Sequence, residues 1–336
     1  MSALPQAQTP AARPRTTEPG ARRPVVSVVI NNYNYGRFVG RAVASALAQD
    51  ASDFEVIVVD DGSSDDSLAV LHAYRDRATI LAQDNRGQAA AINAGVRASR
   101  GEFVCFLDAD DWWSPGKLSA VVEAFRREPG VSLTYHRLQP TLVDETPTSK
   151  PIPRTLCSGD LAPALMRSAG WWPFPMTSAI AVRRSAWDAV GDIPEQFRIS
   201  ADAWLAGIYP LVGHVAALPD TQGFYRIHSN NWYRATDDAA MLRKRMTHWQ
   251  AVVDATNRFL AARDLPGRLR LNDHFPYQAA AARLDGTDWR RGLGLAFEGL
   301  RFAGEPNPLR RARDAVRTAR DLVRGDRPPA FQDTAR

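Results

Sequence analysis

A run of apolar and aromatic residues that ends in three acids constrains this chain more than any other feature. Residues 103–107 read Phe-Val-Cys-Phe-Leu and lead directly into Asp108, Asp110 and Asp111. A short, continuous apolar run predicts a strand that is buried on both faces of a parallel sheet. The acids therefore lie at the carboxyl end of that strand, where open α/β sheets bind their ligands.

Carboxylates that are crowded at one strand end repel each other and resist burial. A divalent cation removes that problem, and carboxylate oxygens suit magnesium, manganese or calcium ions. Such a cation could hold a diphosphate against the acidic edge. The alternative is an acidic loop that caps the next helix, because Ser114 and Pro115 follow at once.

Predicted strands and helices alternate through the first third of the chain. Besides the acidic strand, the predicted strands cover residues 25–30, 54–59 and 79–81. This alternation predicts an α/β fold with a doubly wound, mostly parallel sheet flanked by helices. Right-handed crossovers place the polar turns that follow these strands along one edge of the sheet. The residues expected to meet there are Tyr33, Asp61, Gln88 and Asp110.

The composition is typical of a soluble globular protein. Of the 336 residues, 45% are hydrophobic and 24% are charged, and no apolar stretch approaches the ~20 residues of a membrane-spanning helix. The two cysteines, Cys105 and Cys157, do not suggest a disulfide framework and fit a reducing cytoplasm. The net charge of +5 is modest and arginine is concentrated in the terminal segments, which argues against a nucleic-acid partner.

Four short motifs follow one another along the predicted sheet. They are Val-Ser-Val-Val-Ile-Asn-Asn-Tyr-Asn at 26–34, Val-Val-Asp-Asp-Gly-Ser-Ser-Asp at 58–65, Asn-Arg-Gly-Gln-Ala-Ala-Ala-Ile-Asn-Ala-Gly at 85–95 and Gly-Glu-Phe-Val-Cys-Phe-Leu-Asp-Ala-Asp-Asp at 101–111. In this order and spacing they resemble the catalytic domain of the family 2 glycosyltransferases, whose fold is called GT-A. The resemblance implies a GT-A catalytic domain, which we place at residues 24–235. The composition of residues 1–23 predicts a disordered tail, and residues 236–336 read as a helical C-terminal extension.

The resemblance implies that the first motifs hold the nucleotide part of an activated sugar. Asn31 lies in the first loop, where Tyr33 would stack its ring on the base. Asp61 would accept a hydrogen bond from the base or the ribose, and Gln88 would also contact the nucleotide sugar. The alternative for Tyr33 is an ordinary half-buried turn tyrosine.

The acidic motif carries the metal site that the resemblance implies. Asp108 would contact the ribose or the sugar, and Asp110 would be the main ligand of a Mn²⁺ or Mg²⁺ ion. Asp111 either stands behind the ligands or is a solvated acid at a helix start. The family often has an arginine where this chain has Ile92, and Arg86 either replaces that contact or is solvated.

Residues 197–205 resemble the family segment that carries the catalytic base. An acidic pair usually opens a helix there, and this chain has Ala201 followed by Asp202. A base must remove the proton from the acceptor hydroxyl as it attacks the anomeric carbon, and Asp202 is the acid in this segment that fits. The alternative is an N-cap or first-turn acid.

Two more groups of residues are candidates for contacts with the acceptor or the diphosphate. Trp171 and Trp172 form either an aromatic wall for a sugar or lipid-linked acceptor, or a core plug. Residues 223–231 resemble a Tyr-Arg-x-His loop of the family. Its Arg226 and His228 would reach the diphosphate or add a metal ligand, and a structural histidine is the alternative.

The C-terminal segment carries two parallel stripes at helical spacing. The apolar stripe consists of Leu309, Ala312, Val316, Ala319 and Val323. The arginine stripe consists of Arg310, Arg313, Arg317, Arg320 and Arg324. The stripes predict either peripheral contact with an anionic bilayer or a helix that packs on the catalytic domain with its arginines in water.

Together these features predict a metal-dependent, inverting glycosyltransferase that uses a nucleotide-diphosphate sugar. The acceptor would be a glycan or a lipid-linked molecule. The enzyme would be cytoplasmic, and peripheral at the inner face of the cell membrane if the last helix binds lipid. The composition hints at a bacterial source, which suits envelope polysaccharide synthesis. The alternatives are a nucleotidyltransferase, and a glycan- or nucleotide-sugar-binding protein without turnover.

Overall fold

The computed structural model describes residues 23–229, 231, 238–286 and 289–323. Within these ranges the strands are β1 (Val26–Asn32), β2 (Phe54–Asp60), β3 (Thr79–Ala82), β4 (Phe103–Asp108), β5 (Trp112–Trp113), β6 (Val131–Thr141), β7 (Ile180–Arg183) and β8 (His214–Arg226). The helices are α1 (Gly36–Leu47), α2 (Ser67–His72), α3 (Gln88–Ala98), α4 (Lys117–Arg127), α5 (Ala162–Arg167), α6 (Arg184–Val190), α7 (Asp202–Ile208), α8 (Ala239–Ala262), α9 (Phe275–Asp285), α10 (Trp289–Arg301) and α11 (Pro308–Val323).

The strands of the described residues form one sheet in the order β3-β2-β1-β4-β7-β6-β8-β5. Strands β3, β2, β1 and β4 are mutually parallel, and β6 is parallel to β8. Strand β7 runs antiparallel to both of its neighbours, and β5 runs antiparallel to β8. The prediction of an α/β fold with a mostly parallel sheet flanked by helices is confirmed.

Both faces of the central strands are buried, as the continuous apolar runs predict. Side chains that alternate along a strand point to opposite faces of the sheet. On β1, Val29 therefore joins a core with α3, α6, α7 and α8, whereas Val28 and Ile30 join a core with α1 and α4. On β4, Phe106 and Cys105 are divided in the same way.

The register of the parallel strands brings their carboxyl ends level with each other. Asn31 lies opposite Val59 on one side and Asp108 on the other, and Asn32 lies opposite Asp60. The loops after β1, β2 and β4 therefore leave the sheet at the same edge. This edge is where the sequence places most of its candidate nucleotide-binding residues.

The short strand β5 brings the Tyr-Arg-x-His loop next to the acidic motif. Trp112 pairs with Phe224 and Trp113 pairs with Gly223, and the rings of Trp112 and Phe224 stack with centroids 4.9 Å apart. A strand of two residues shows no periodicity, so this pairing could not be predicted from the sequence. The pairing places the end of β8 beside Asp110.

The C-terminal helices dock on the catalytic region. Helix α8 packs against α7, and α9, α10 and α11 pack together. On α11 the buried side chains are Ala315 and Leu322, whereas Leu309 is 80% exposed and Val316 is 66% exposed. The predicted apolar stripe is therefore not the face that packs.

Some predictions concern residues outside the described ranges. Residues 1–22 of the predicted tail, the boundary at residue 235 and Arg324 are among them, so the predicted division into domains stays a prediction. Among the described residues, no helix is long and apolar enough to cross a membrane.

Candidate active site

A cleft with a volume of about 1850 Å³ opens at the carboxyl edge of the sheet. The ends of β1, β2 and β4 line one end of it, and helix α7 lines its side. Helices α8 and α11 also contribute side chains to its lining. The predicted residues Asn31, Tyr33, Asp61, Gln88, Asp108, Asp110, Trp171, Trp172 and Asp202 all line this cleft.

The three acids after β4 form a compact cluster. One carboxylate oxygen from each of Asp108, Asp110 and Asp111 lies within 4.8 Å of the other two. Burial and the charge of Asp110 raise the pKa of Asp108 to about 7. The same two causes raise the pKa of Asp111 well above its usual value. The cluster is thus held together against a repulsion that a cation would relieve.

The side-chain amides of Asn31 and Gln88, two of the predicted site residues, hold the side chain of Asp108 in place. The Asn31 Nδ2 and the Gln88 Nε2 each donate a hydrogen bond of 2.9 Å to the Asp108 Oδ1. The Gln88 Oε1 also accepts a bond of 2.9 Å from the main-chain N–H of Ala201, at the start of α7. Gln88 therefore connects the acidic motif to the candidate base.

Asp111 is bound by the protein on both of its oxygens. The main-chain N–H of Arg226 donates to Oδ1 at 2.9 Å, and the Ser178 hydroxyl donates to Oδ2 at 2.6 Å. Asp111 is only 1% exposed, so it is not a solvated acid at a helix start. Ser178 lies in a 3₁₀ turn 67 residues further on, and no sequence signal linked it to this site.

His228 and Arg226 contact different atoms of Asp110. The His228 Nε2 is 2.9 Å from the Asp110 Oδ2, which places an imidazole beside the candidate metal ligand. The Arg226 Nε donates at 2.9 Å to the main-chain oxygen of Asp110, and its guanidinium lies between the rings of Phe38 and Trp112. Neither Arg226, which is 3% exposed, nor His228 is among the residues that line the cleft, so both support the acidic loop from the protein side.

Tyr35 is a cleft residue that the sequence analysis did not single out. Its ring is 5.5 Å from the ring of His228, and burial together with Asp110 raises its pKa. The polar, aromatic loop after β1 was the available signal, because Tyr35 is two residues beyond Tyr33. Tyr33 itself is 47% exposed, which leaves its ring open to the cleft.

Asp61 holds the loop that precedes α3. Its Oδ1 accepts from the Gln83 Nε2 at 2.7 Å and from the Arg86 N–H at 2.9 Å, and its Oδ2 accepts from the Gly87 N–H at 2.7 Å. Gly87 has φ of +93°, which suits glycine, and an added Cβ would lie 2.6 Å from the Cα of Arg198. Asp61 therefore shapes this end of the cleft through the loop it binds.

The candidate base Asp202 is the first residue of α7, one position after its N-cap Ala201. Its Oδ1 accepts hydrogen bonds from the Ser200 hydroxyl at 2.8 Å and from the Ala203 N–H at 2.9 Å. It is 7% exposed, and burial raises its pKa. A carboxylate with a raised pKa holds an accepted proton better near neutral pH.

The two tryptophans of the aromatic patch differ in their surroundings. Trp172 is 2% exposed, donates its indole N–H at 2.9 Å to the Ala206 oxygen, and packs edge-on against Tyr135. It is mainly a core plug. Trp171 is half-buried and lies against Phe302, so it can present part of its ring to the cleft.

The chain resembles known proteins over most of its length. The model of the family described as Glycosyl transferase family 2 matches residues 27–186. An uncharacterized glycosyltransferase of Nostoc sp. (strain PCC 7120 / SAG 25.82 / UTEX 2576) is 36% identical over 244 residues, which cover 70% of this chain and 74% of that protein. The chain therefore belongs to glycosyltransferase family 2. As a glycosyltransferase, it is neither a nucleotidyltransferase nor a binding protein without turnover.

Two solved structures have a similar fold. Residues 1–349 of TarS from S. aureus, in complex with UDP-GlcNAc, superimpose with a TM-score of 0.54 at 17% identity, over 92% of this chain and 94% of that chain. The mannosyltransferase PcManGT from Pyrobaculum calidifontis, in complex with GDP-Man and Mn²⁺, gives a TM-score of 0.50 at 20% identity, over 89% and 76%. These likenesses agree with the GT-A fold.

Proposed function

We propose that the enzyme transfers a sugar from a nucleotide-diphosphate sugar to a hydroxyl of a glycan or lipid-linked acceptor, by direct displacement with inversion. The acidic end of the cleft would hold the donor, and Asp202 would accept the proton of the attacking hydroxyl. The observation that carries the proposal is the pair of bonds made by Gln88. They connect Asp108 to Ala201, the neighbour of Asp202, across one cleft.

The residues at the acidic end fit a divalent cation. Their carboxylate oxygens are the ligands that Mn²⁺ and Mg²⁺ prefer. Burial, and then the charge of Asp110, raise the pKa values of Asp108 and Asp111, and a cation would offset both effects. Asp110 would be the main ligand, with His228 beside it. When bound, the cation would neutralise the charge that develops on the leaving diphosphate. The Mn²⁺ bound by PcManGT supports this assignment.

The donor would bind between the loops that follow β1, β2 and β4. Tyr33, with its exposed ring, would stack on the base. Asn31 would keep Asp108 turned toward the ribose or the sugar. Asp61 already accepts three hydrogen bonds, so we assign it mainly to holding residues 85–87 against the nucleoside. The sugar nucleotides bound by TarS and PcManGT support a donor of this class.

As the base, Asp202 would act from a fixed position. Its bonds to Ser200 and Ala203 both fall on Oδ1, and the Thr177 main chain also bonds to the carboxylate. We assign Oδ2 to the acceptor hydroxyl. A carboxylate that is held by burial and two donors loses little freedom when the acceptor arrives. Trp171 would contribute an apolar surface on the acceptor side.

Membrane contact through α11, a cytoplasmic location and a role in envelope polysaccharide synthesis remain predictions. The exposed Leu309 and Val316 support contact with lipid. The positions of Arg310, Arg313 and Arg317 count against it, because these side chains line a cleft rather than a flat surface.

A donor-consumption assay tests the proposal. The full chain is incubated with a panel of UDP- and GDP-linked sugars and Mn²⁺, with and without candidate glycan acceptors, and release of the nucleoside diphosphate is measured. We expect at least one donor to be consumed by the parent protein and far more slowly by Asp202→Asn. Equal consumption by both proteins would remove Asp202 from the mechanism.

A further inference from the structure

Helix α11 presents three arginines to the cleft. Arg310, Arg313 and Arg317 are spaced by three and four residues, so they share one face of the helix. All three line the same cleft as Asp108 and Asp110. They belong to the stripe that the sequence suggested for an anionic bilayer, and they instead form one wall of a concave site.

The acidic and basic side chains of this cleft come from different elements, although Arg198 lies beside Gly87 in the loop that Asp61 holds. The acids that line it are Asp61, Asp108, Asp110 and Asp202, which come from the strand ends and from α7. The arginines that line it are Arg154, Arg198, Arg245, Arg310, Arg313 and Arg317. None of the lining residues contributed by the described part of the C-terminal region is acidic. Positively charged side chains on a cleft wall attract anionic ligands, and the three arginines of α11 share one helix face.

The arginine wall, meaning Arg310, Arg313 and Arg317, is only partly neutralised by its own helix. Residues 308–323 contain five arginines against two aspartates. Arg313 pairs with Asp314 at 2.7 Å, and Arg317 lies 3.7 Å from Asp321, an acid that Arg320 approaches to 2.9 Å. The pairs are exposed, so they contribute little and leave the arginines open to exchange.

Arg310 shows how the wall is anchored to the catalytic region. Its Nη1 donates at 2.6 Å to the hydroxyl of Thr155, a neutral partner next to Arg154. The bond joins α11 to the loop that precedes α5, and Trp171 and Trp249 line the same cleft. This side offers aromatic surfaces for sugar rings and guanidinium groups for oxyanions.

We propose that the arginine wall binds the acceptor, and that the acceptor is an acidic glycan that carries phosphate or carboxylate groups. The proposal rests on the proposed function, which places the donor diphosphate at the acidic end with its cation. The planar guanidinium fork matches carboxylate and phosphate groups. Spacing along one helix face lets the three arginines contact successive charged groups of an extended chain.

The test measures binding without turnover, on the full chain. Fluorescent hyaluronan oligosaccharides supply carboxylates, fluorescent inorganic polyphosphate supplies phosphates, and a neutral dextran of similar length is the control. Their anisotropy is followed at about 0.1 M salt. The cleft variant combines Arg310→Gln, Arg313→Gln and Arg317→Gln. The matched control combines Arg75→Gln, Arg126→Gln and Arg320→Gln, which are exposed and outside the cleft and remove the same charge.

We expect the cleft variant to lose on the order of tenfold or more in affinity for at least one anionic probe, and the control variant to lose less than about threefold. Dextran should bind both variants and the parent alike. An equal loss of affinity in both variants would show that net charge alone explains the effect, and would overturn the proposal. No loss of affinity in either variant would also overturn it.

Two further measurements separate the remaining explanations. Binding of UDP and GDP with Mn²⁺ is measured on the same proteins, and loss of it in the cleft variant would assign the wall to the donor and overturn the proposal. Sedimentation with anionic vesicles is the second, and a loss confined to vesicles would assign the wall to lipid. If the parent protein binds no nucleotide while the anionic probes behave as expected, the proposed donor site is wrong and the proposed binding of acidic glycans by the arginine wall is retained.

Discussion

The acidic end and the basic end of the cleft are assembled in different ways. At the acidic end, Asn31 and Asp108 lie at the carboxyl ends of neighbouring parallel strands and face each other in the register, and Asp61 directly follows the next strand. At the basic end, Arg310 and its neighbours come from a helix some two hundred residues later, which packs on other helices. Arg310 of this helix is bonded to Thr155 of the catalytic region. One end is a consequence of sheet topology, and the other depends on how a distant helix docks.

This difference implies that the two ends tolerate change differently. The acidic end is buried and bonded on most sides, so a substitution there should remove a function outright. The arginines are 68% and 69% exposed at Arg313 and Arg317, so each one contributes a small increment that salt reduces. The predictions below run from the largest expected effect to the smallest.

Replacing Asp110 should have the largest effect. Asp110→Ala removes the main candidate metal ligand and leaves His228 without its 2.9 Å partner, so metal-dependent donor consumption should fall by more than about a hundredfold. The fold should persist, because the change relieves a buried carboxylate and empties no apolar core. Initial rates with excess Mn²⁺ and a circular dichroism melt check both parts. Undiminished metal-dependent activity in a folded variant would remove Asp110 from the site.

Replacing the candidate base Asp202 should have the second largest effect. Asp202→Asn keeps the shape and the Ser200 bond but cannot take a proton, so transfer should slow by on the order of 10²–10⁴-fold while donor affinity stays within about twofold. Rapid-mix kinetics with saturating donor separate the two quantities. Glu195→Gln, an exposed acid that pairs with Arg86, is a matched control and should change neither.

Replacing His228, which contacts the Asp110 carboxylate, tests the acidic end in a second way. His228→Ala should weaken Mn²⁺ binding by about 10- to 100-fold, because the imidazole either contacts the cation or orients Asp110. Titration of Mn²⁺ against a bound nucleotide gives the affinity. His72→Ala, on the exposed end of α2, provides the control, and equal Mn²⁺ affinities in the two variants would show that His228 is structural only.

The pKa of Asp108 predicts how the metal-free protein responds to pH. Its folded pKa of about 7 is above the unfolded value of 3.8, so its contribution to stability is full below pH 3.8 and is lost as the pH rises through 7. The midpoint of thermal unfolding should fall over this window, and Mn²⁺ should restore it. Asp108→Asn should flatten the profile. A variant that keeps the parent's slope would place the responsible group elsewhere.

The sheet and the residues of the acidic end could be predicted from the sequence because both follow from local rules. Apolar runs locate the strands, and the polar residues after Ile30, Val59 and Leu107 must share an edge in a parallel sheet. Sequence reasoning could not reach Ser178, which bonds to Asp111 through a 3₁₀ turn after a long irregular stretch. It found the arginine stripe of α11 but not its orientation, because a helix pattern identifies a face and not what that face meets.

The central claim is that the acidic end holds a nucleotide diphosphate together with a divalent cation. Thermal unfolding of the full chain with UDP and with GDP, each with and without Mn²⁺, tests it most directly. We predict that one nucleotide stabilises the protein only when Mn²⁺ is present, by roughly 2.7 kcal/mol at 100 times its dissociation constant. Stabilisation by neither nucleotide, or stabilisation that is the same with Mn²⁺ and with a chelator, would contradict the account.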